Sequence, residues 1–317
     1  MIVDLAPCVL AVGVFDGVHR GHQSLLTSAR HEAEKRNLPL HVMTFDPHPA
    51  AILRPGAQPP LLTEPPRRVE LLEQFGADGV DVVPFDSGIA ATTADEFALE
   101  YFVNRHHAQV IVVGANFRFG RDAQGDGEFL SALGLRLGFE SIVVPLAADN
   151  AQWSSTRVRA ALAEGDVSLA RSILGRPHEL TGVVQHGDGR GRQLGLPTAN
   201  LALAPSIAIP APGVYAGYLI AGEGDRDALP AAISVGSNPQ FGGQELRVEA
   251  YVLDRSDLDL YDRIVTVEFV ERLRAQEVFG SLEEYLEQMP RDVQATRLAL
   301  AEVEDSSADT LGRHRRS

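Results

Sequence analysis

The chain of 317 residues has little cysteine, little basic charge and no long apolar run. Its one cysteine, Cys8, has no partner for an internal disulfide, and its apolar neighbours favour a buried, inert thiol over a nucleophile. No apolar run approaches the roughly 18 residues that a membrane span requires. The first ten residues lack the basic start and the small-residue cleavage site of a secretion signal. We therefore expect a cytoplasmic protein that does not act in a membrane.

The charge of the chain is strongly acidic. Its 43 acidic residues outnumber 28 basic ones, which gives a net charge of −15. A polyanion requires a basic surface, so this balance argues against general nucleic-acid binding. Binding of an anionic small molecule by a few local donors remains possible at this net charge.

The apolar fraction of 44% is typical of globular proteins, and the length allows two domains that each bury a core.

The first half of the chain alternates between strand and helix patterns. Strands are predicted at residues 9–14, 40–45, 80–85, 110–113 and 141–146, and helices at residues 22–36, 67–75, 94–105 and 155–174. Strands separated by helices imply right-handed crossovers and a Rossmann-like parallel sheet covered on both faces. Ligands bind at the carboxyl ends of such strands, where residues 13–16 and 114–117 fall.

The pattern changes near residue 176, which we take as the boundary between a domain of residues 1–176 and a domain of residues 177–304. Short strands are predicted at residues 180–185, 214–220, 231–235, 247–253 and 264–269. No helix pattern separates them, so we expect an antiparallel sheet that closes into a small barrel. A terminal helix at residues 281–303, broken near Pro290, and a mobile polar tail at residues 305–317 complete the prediction.

The segment from Gly13 to His22 ends the first strand and opens the first helix. Its three glycines would let the backbone approach a phosphate, and a helix N-terminus adds free N–H groups. His19 and His22 are three residues apart, so both imidazoles can donate hydrogen bonds to a phosphoryl group from one helical face. A glycine-rich turn with two surface histidines is the alternative. The combination favours a phosphate-binding site.

This segment resembles the His-x-Gly-His nucleotidyltransferase superfamily, whose members transfer AMP or CMP to a phosphate or a related nucleophile. A second superfamily element matches residues 153–159, with Trp153 in place of the usual Ile. From the residues alone, the hydroxyls of this element could also cap a helix, and Arg159 could clamp phosphate oxygens. The ATP-binding residues that the resemblance implies are Gly13, Phe15, Asp16, Gly17, His19, His22, Ser154, Ser155, Thr156 and Arg159.

Two further segments are similar to the adenylyltransferase module of bacterial FAD synthetases. They are residues 44–49, Thr-Phe-Asp-Pro-His-Pro, and residues 114–120, Gly-Ala-Asn-Phe-Arg-Phe-Gly. The resemblance implies flavin or nucleotide contacts by Asp46 and Asn116. Taken alone, His48 between two prolines is more typical of a turn than of a catalyst, and Phe117 and Phe119 fit either a core or a ring-stacking role.

Residues 187–200 form a second glycine-rich segment. Its composition alone favours a basic surface hairpin, but over its full length it resembles the riboflavin kinase signature. Its glycines and arginines suit a flexible loop over polyphosphate, and Thr198 and Asn200 offer neutral oxygen ligands for a magnesium nucleotide. The implied ATP-binding residues are Gly187, Arg190, Gly191, Arg192, Thr198 and Asn200, and the last two are also the implied Mg²⁺ ligands.

Glu249 lies in a strand pattern, where alternation puts it on the face of Arg247 and Tyr251, opposite Val248 and Val252. A solvated strand glutamate is the alternative interpretation of this pattern. The riboflavin kinase family has its catalytic base at the matching position, so the resemblance implies that role for Glu249.

Arg274 matches a family position on the flavin side of the kinase site. The chain departs from the family pattern at Gln240, where the family has Thr, and at Asp262, where it has Gly. The effect of these two departures stays open.

The resemblance covers residues 9 to 297, in the order of bifunctional prokaryotic riboflavin kinase/FAD synthetases. It implies that the second module forms FMN from riboflavin and ATP, and that the first forms FAD and pyrophosphate from FMN and ATP. Mg²⁺ accompanies ATP, and the flavins are substrate and product. The oligomeric state, transfer of FMN between modules, product inhibition and loop movements stay open.

Two alternatives compete with this interpretation. A nucleotidyltransferase for pantetheine phosphate or glycerol phosphate would lack the kinase-like second half. A flavin-binding or regulatory protein with decayed sites would have no reason to retain the two histidines of the first module, or Thr198, Asn200 and Glu249 in the second.

Overall fold

The structure is a computed structural model that describes residues 7–145, 153–186, 198–222, 228–237, 246–255, 257–277 and 279–314, without the side chains of residues 282 and 304–314. The chain divides into two compact units, Met1–Ser155 and Thr156–Ser317. This division falls before residue 176 because the helical residues that follow Ser155 pack with the second unit; the carbonyl of Leu162, for example, accepts a hydrogen bond from the N–H of Ala211.

The first unit contains a five-stranded sheet with the strand order β3-β2-β1-β4-β5. Every pair in it is parallel, as the sequence predicted. Its strands are β1 (Cys8–Val12), β2 (Leu40–Asp46), β3 (Gly79–Pro84), β4 (Ala108–Gly114) and β5 (Glu140–Val144). The nearly continuous apolar runs of β1 and β4 suit central strands that are covered on both faces.

Helices connect these strands. They are α1 (Arg20–Arg36), α2 (Pro49–Leu53), α3 (Pro65–Gln74), α4 (Ser87–Ala91), α5 (Ala94–Phe97) with a π-helix (Ala98–Arg105), and α6 (Gly127–Leu137). Helix α1, which the sequence predicted over residues 22–36, buries Leu25, Leu26, Ala29 and Ala33 on one face. The short helices α2 and α4 and the longer α6 were not predicted.

The predicted helix of residues 155–174 is two helices, α7 (Ser155–Glu164) and α8 (Val167–Leu174). Gly165 has a φ of +79°, a left-handed conformation that ends a helix, and the side chain of Asp166 caps the next one by accepting from the N–H of Leu169 at 2.8 Å. The two local signals outweigh the continuous helical pattern.

Cys8 lies in the core on one face of the parallel sheet, with Leu10 and Val12. Its side chain is fully buried, and its Sγ donates to the carbonyl of His106 at 3.3 Å. Burial raises the pKa of the thiol to about 12. The prediction of a buried thiol is confirmed, and a thiol with this pKa is not a nucleophile at neutral pH.

The second unit contains a closed barrel with the strand order β10-β7-β6-β11-β8-β9, in which every described pair is antiparallel. Its strands are β6 (His178–Gln185), β7 (Thr198–Ala202), β8 (Gly213–Ala221), β9 (Ala228–Ser237), β10 (Leu246–Val252) and β11 (Ile264–Ala275). The predicted barrel is confirmed. Strand β7 was not predicted, and without it the barrel would not close.

One terminal helix, Leu282–His314, follows the barrel. It continues through Pro290, so the predicted break there is wrong. Ala299 and Leu300 pack against Ala216 and Val270 of the barrel, and this packing holds the helix although the proline removes one backbone donor. The helix also extends into the segment that we predicted as a tail; the mobility of that segment stays a prediction.

His178 at the start of β6 makes the stability of the second unit depend on pH. Its side chain is 1% exposed, and its Nε2–H donates to the carbonyl of Ala208 at 2.8 Å. Burial lowers the pKa of the imidazole from 6.5 to about 4. The unfolded chain therefore binds a proton that the folded chain does not bind, and stability is lost as the pH falls from 6.5 towards 4.

We expect this group alone to cost about 2 kcal/mol between pH 7 and pH 5, at about 1.4 kcal/mol per pH unit below 6.5. Hydrogen exchange of residues 178–185 in the wild type and in His178→Gln, which keeps a donor but does not titrate, measures the difference. An equal loss of opening free energy in both proteins would contradict the assignment.

Candidate active sites

Residues 13–19 connect the carboxyl end of β1 to the start of α1. The strand order reverses at β1, which has β2 on one side and β4 on the other. Open parallel sheets bind ligands in the crevice at such a reversal. Asp46 ends β2 and Asn116 follows β4, and both are exposed. The residues predicted to contact nucleotide or flavin in the first unit therefore share this edge of the sheet.

The loop from β1 to α1 has an unusual backbone. Phe15 and Val18 have φ values of +54° and +38°, and Gly17 has +83°. Left-handed conformations are uncommon for residues other than glycine, and they cluster at functional sites. The ring of Phe15 is buried and meets the ring of His22 edge-on, with 5.2 Å between centroids. The packing beneath the loop thus fixes its shape.

Asp16 is buried in this loop, with a relative exposure of 1%. Its carboxylate accepts from the N–H of Leu62 at 2.9 Å and from the N–H of Thr63 at 3.1 Å. The hydroxyl of Thr63 in turn accepts from the N–H of Gly17 at 3.1 Å. Asp16 therefore holds the loop against residues 62–63. Its predicted contact with ATP stays a prediction.

His19 and His22 lie side by side at the start of α1. Their rings stack at 3.7 Å between centroids, and the Nδ1 of His19, the N-cap residue, accepts from the backbone N–H of His22 at 3.3 Å. This hydrogen bond leaves Nε2 as the proton-carrying nitrogen of a neutral His19. Burial, and secondly the nearby His19, lower the pKa of His22 well below 6.5. Near pH 7 His22 is a neutral hydrogen-bond donor.

Residues 153–155 pack against the same loop. A side chain at Gly21 would place its Cβ 3.0 Å from the ring of His19 and 3.3 Å from the carbonyl of Trp153, so a larger residue would require these neighbours to shift. The guanidinium of Arg20 lies 5.9 Å from the centroid of the Trp153 ring. The hydroxyl of Ser155 donates to the carbonyl of Asp16 at 2.9 Å. One predicted phosphate ligand, Ser155, thus makes a hydrogen bond to the backbone of the loop.

The other predicted residues of this element differ in their exposure to solvent. Ser154 is half-buried, Thr156 is exposed, and Arg159 is half-buried on α7. Their contacts with phosphate stay predictions.

The two segments that follow β2 and β4 are placed as the sequence suggested. His48 caps α2, its Nδ1 accepting from the N–H of Ala50 at 3.1 Å, which fits the turn interpretation. Phe119 is buried in the core, and Phe117 stacks on it at 5.4 Å from the rim of that core. The described contacts give Phe119 a core role.

Arg68 on α3 was not singled out by sequence reasoning, and it lies directly behind the loop. Its Nη1 donates to the carbonyl of Val14 at 3.2 Å, and its Nη2 donates to the carbonyl of Phe45 at 2.9 Å. The residue is 1% exposed. Nothing in the local sequence separates it from its neighbour Arg67, because its burial depends on contacts with the loop after β1 and with β2.

The second site lies on the outer face of the barrel. Glu249 on β10 pairs directly with Asn200 on β7 and with Ser234 on β9, and Tyr251 pairs with Thr198. Directly paired residues of antiparallel strands point to the same face, with Cβ atoms about 4.5–5.5 Å apart. The alternating residues of β10, from Val248 to Val252, are buried in the barrel. Three predicted kinase residues, Thr198, Asn200 and Glu249, therefore share one outward face.

The remaining part of the predicted kinase signature, Gly187, Arg190, Gly191 and Arg192, lies outside the described residues, as does Gln240. Asp262 has a φ of +59°, a left-handed conformation at which glycine is the favoured residue. The departure from the family pattern at residue 262 therefore lies at a backbone conformation that favours the glycine of the family.

Arg274 has its guanidinium engaged with the terminal helix. Its Nε and Nη2 donate to the two carboxylate oxygens of Asp292 at 2.9 and 2.7 Å, which raises the pKa of Arg274. The guanidinium also lies 5.7 Å from the ring centroid of Phe279, and that ring meets Tyr285 edge-on at 5.6 Å. Arg274 thus ties the helix to the barrel, and its place on the flavin side stays a prediction.

Burial, followed by the charge of Glu249, raises the pKa of Tyr285.

The described residues of the two units form no metal centre of their own. Among the described residues, no group of three or more His, Cys, Asp or Glu side chains could hold a metal ion. Mg²⁺ is usually held by one or two protein ligands together with substrate phosphates and water. The hydroxyl of Thr198, the amide oxygen of Asn200 and the nearby carboxylate of Glu249 are hard oxygen donors that fit this mode of binding.

The two sites are typical of one broad class of protein, the enzymes that transfer phosphorus-containing groups from nucleotides. In the first unit, neutral donors and a helix N-terminus surround the crevice. In the second unit, a carboxylate lies among neutral oxygen donors. No helix in the described part of the chain is both long enough and apolar enough to cross a membrane.

Comparisons with known proteins narrow this class. The family described as FAD synthetase matches residues 2–157, and the family described as riboflavin kinase matches residues 174–300. The chain is 38% identical over 286 residues to a bifunctional riboflavin kinase/FMN adenylyltransferase of Escherichia coli, with 90% of each chain covered. A protein of the same name from Bacillus subtilis is 33% identical, with 91% of each chain covered. The chain belongs to the family of bifunctional riboflavin kinase/FMN adenylyltransferases.

A solved structure supports the fold along nearly the whole chain. It is described as a macrolide-efflux protein from Streptococcus pneumoniae, and it is 34% identical with a TM-score of 0.83. The similarity covers 93% of this chain and 96% of that one. The FAD synthetase and riboflavin kinase matches leave residues 158–173 between them, so the exact domain boundary near residue 176 stays a prediction.

Proposed function

We propose that the chain makes FMN and then FAD, with one reaction in each unit. The barrel transfers the γ-phosphoryl group of ATP to riboflavin, and the unit with the parallel sheet transfers AMP from a second ATP to FMN and releases pyrophosphate. The observation that carries this proposal is the pairing of Glu249 with Asn200 on the barrel, in a chain that also has paired histidines at its first loop. One chain thus has a site for each reaction.

The kinase reaction starts from a hydroxyl, which is a poor nucleophile at neutral pH. A carboxylate that accepts its proton increases the rate, and Glu249 is the carboxylate on the face shared with Thr198 and Asn200. Thr198 and Asn200 would hold the Mg²⁺ that accompanies ATP. That ion, when bound, offsets negative charge on the transferred group. The barrel positions all three side chains on rigid strands, which keeps the base aligned with the hydroxyl.

The adenylyl transfer starts from a phosphate of FMN, which is already an anion and needs no base. The site has to align this oxygen with the α-phosphate of ATP and to stabilise the negative charge that develops there. His19 and His22 are hydrogen-bond donors at the N-terminus of α1, whose dipole also favours an anion. Their role here is to stabilise phosphoryl charge, and they do not remove a proton.

Asp46 and Asn116 flank the same crevice, and we assign them to the flavin or to the nucleotide. Arg159 is assigned to phosphate oxygens. The substrates are ATP, riboflavin and FMN, and we place the protein in the cytoplasm, where these compounds are used. The flavins are substrate and product of these reactions.

The proposal is tested by incubating the full chain with riboflavin, ATP and Mg²⁺ and separating the flavins by chromatography. We expect riboflavin to disappear, FMN to appear first and FAD to follow. Excess EDTA should abolish both conversions, because ATP then lacks its metal.

A second reaction that starts from FMN and ATP isolates the adenylyl transfer. If FMN forms but is never converted in either reaction, the first unit has another acceptor. If neither product forms, the bifunctional proposal fails.

A further inference from the structure

The buried guanidinium of Arg68 joins two neighbouring strand ends behind the first site. Its two terminal nitrogens donate to the carbonyls of Val14 and Phe45, at 3.2 and 2.9 Å. Val14 belongs to the loop that ends at His19, just before His22 on α1, and Phe45 immediately precedes Asp46. The hydroxyl of Thr44 donates to the same carbonyl of Val14 at 2.9 Å. The guanidinium of Arg68, together with the hydroxyl of Thr44, therefore connects the loop after β1 with the end of β2.

Burial of this guanidinium costs folding free energy, which indicates that its hydrogen bonds have a function. Burial lowers the pKa of Arg68, and the charges of Asp16 and Asp46 oppose that effect. The Nε of Arg68 is buried with no hydrogen-bond partner among the described residues. Leucine or methionine would fill such a space without removing a charge from water. A guanidinium is required only if its two donors have to hold two acceptors at a fixed spacing.

The loop depends on the segment that carries Arg68 in a second way. Asp16 accepts from the N–H groups of Leu62 and Thr63, just before α3 begins at Pro65. The loop therefore contacts the same segment at two points, through the carboxylate of Asp16 and through the carbonyl of Val14. Residues 62–68 form a support under the loop.

We infer that Arg68 is a positioning residue for the adenylyl transfer. It holds the loop that leads to His19 and His22 in register with the end of β2. This inference rests on the proposed function of the first unit. A lysine would keep the charge but would present a single point donor, which does not span two carbonyls as a planar fork does. The spacing of the loops would then relax, and a misplacement of about 1 Å can reduce a rate roughly 100-fold.

The test compares Arg68→Lys with Arg67→Lys in the full chain. Arg67 is the adjacent residue on α3, with a side chain that is 30% exposed and paired with Glu70 at the surface. For Arg68→Lys we expect kcat for the conversion of FMN to FAD to fall roughly 10- to 100-fold, with KM for ATP and FMN within about threefold of the wild type. Formation of FMN from riboflavin should not change in either variant, and Arg67→Lys should match the wild type throughout.

A merely structural role of Arg68 is distinguished from a positioning role by measuring how much of the first unit is folded. The one tryptophan of the chain, Trp153, lies in that unit, so its fluorescence during thermal unfolding reports the folded fraction at the assay temperature. Activity is then expressed per folded molecule. Full activity of Arg68→Lys per folded molecule, or a raised KM with an unchanged kcat, would overturn the inference.

These outcomes are distinct from a failure of the proposed function. In that case the wild type itself would not convert FMN to FAD.

Discussion

Replacing Glu249 by glutamine is expected to stop FMN formation and to leave the conversion of FMN to FAD intact. Glutamine has nearly the same shape but does not accept a proton from the substrate hydroxyl. Because general base catalysis contributes about 10²- to 10⁴-fold, we expect kcat for riboflavin phosphorylation to fall by a factor in this range. KM for riboflavin and ATP should change little, since the barrel face formed with Asn200 keeps its geometry.

The measurement is the initial rate of FMN formation from riboflavin, with the rate of FAD formation from added FMN as an internal control. Glu271→Gln is the matched variant, because Glu271 is also a half-buried glutamate on a strand of the same barrel. It should retain wild-type activity. A Glu249→Gln protein that still phosphorylates riboflavin at the wild-type rate would remove Glu249 from the role of base.

The elements that the sequence predicted well are those whose signal is local. Strands β1 and β4 are short, nearly unbroken apolar runs, and α1 repeats its apolar residues with a helical period, so each is specified by its own residues. The loop from Gly13 to His22 could also be located, because glycines and histidines follow directly on β1. The composition of a short segment was enough to locate this loop at the end of β1, and its role as a site stays a prediction.

The missed barrel strand, β7, depends on partners that are distant in sequence. Strand β7 reads Thr-Ala-Asn-Leu-Ala, and its outward positions are polar because they face the proposed kinase site. It therefore has a weak strand pattern, although its register with β10 determines where Asn200 and Glu249 meet. The polar residues of the proposed site thus weaken the strand pattern of β7.

Asp16 and Arg68 show the same limit inside the first unit. The motif placed Asp16 near ATP, but its carboxylate accepts from Leu62 and Thr63, 46 and 47 positions away. Arg68 donates to Val14, 54 positions away, and it looks like any arginine of an exposed helix. A motif identifies the residues of a site, whereas the contacts that hold them in place appear only after folding.

Replacing His22 by alanine is expected to produce the opposite defect, in which riboflavin is phosphorylated normally and FMN accumulates. The imidazole is neutral near pH 7 because burial and His19 lower its pKa. In the proposed function it would act by hydrogen bonding to the α-phosphate as charge develops. Removal of one such donor costs about 10²- to 10³-fold in kcat. We expect a loss of this size for FAD formation, measured with FMN and ATP at pH 7 to 8.

A matched control separates this effect from a change in helix α1. His31 lies on the same helix and is exposed, so His31→Ala should retain both activities. The pKa of His22 adds a second criterion. Since this group stays neutral from pH 6.5 upwards, the ratio of wild-type to His22→Ala rates should be constant between pH 6.5 and 8. A ratio that rises or falls tenfold across this range would mean that His22 acts as a titrating acid or base, and it would contradict the role of a neutral donor.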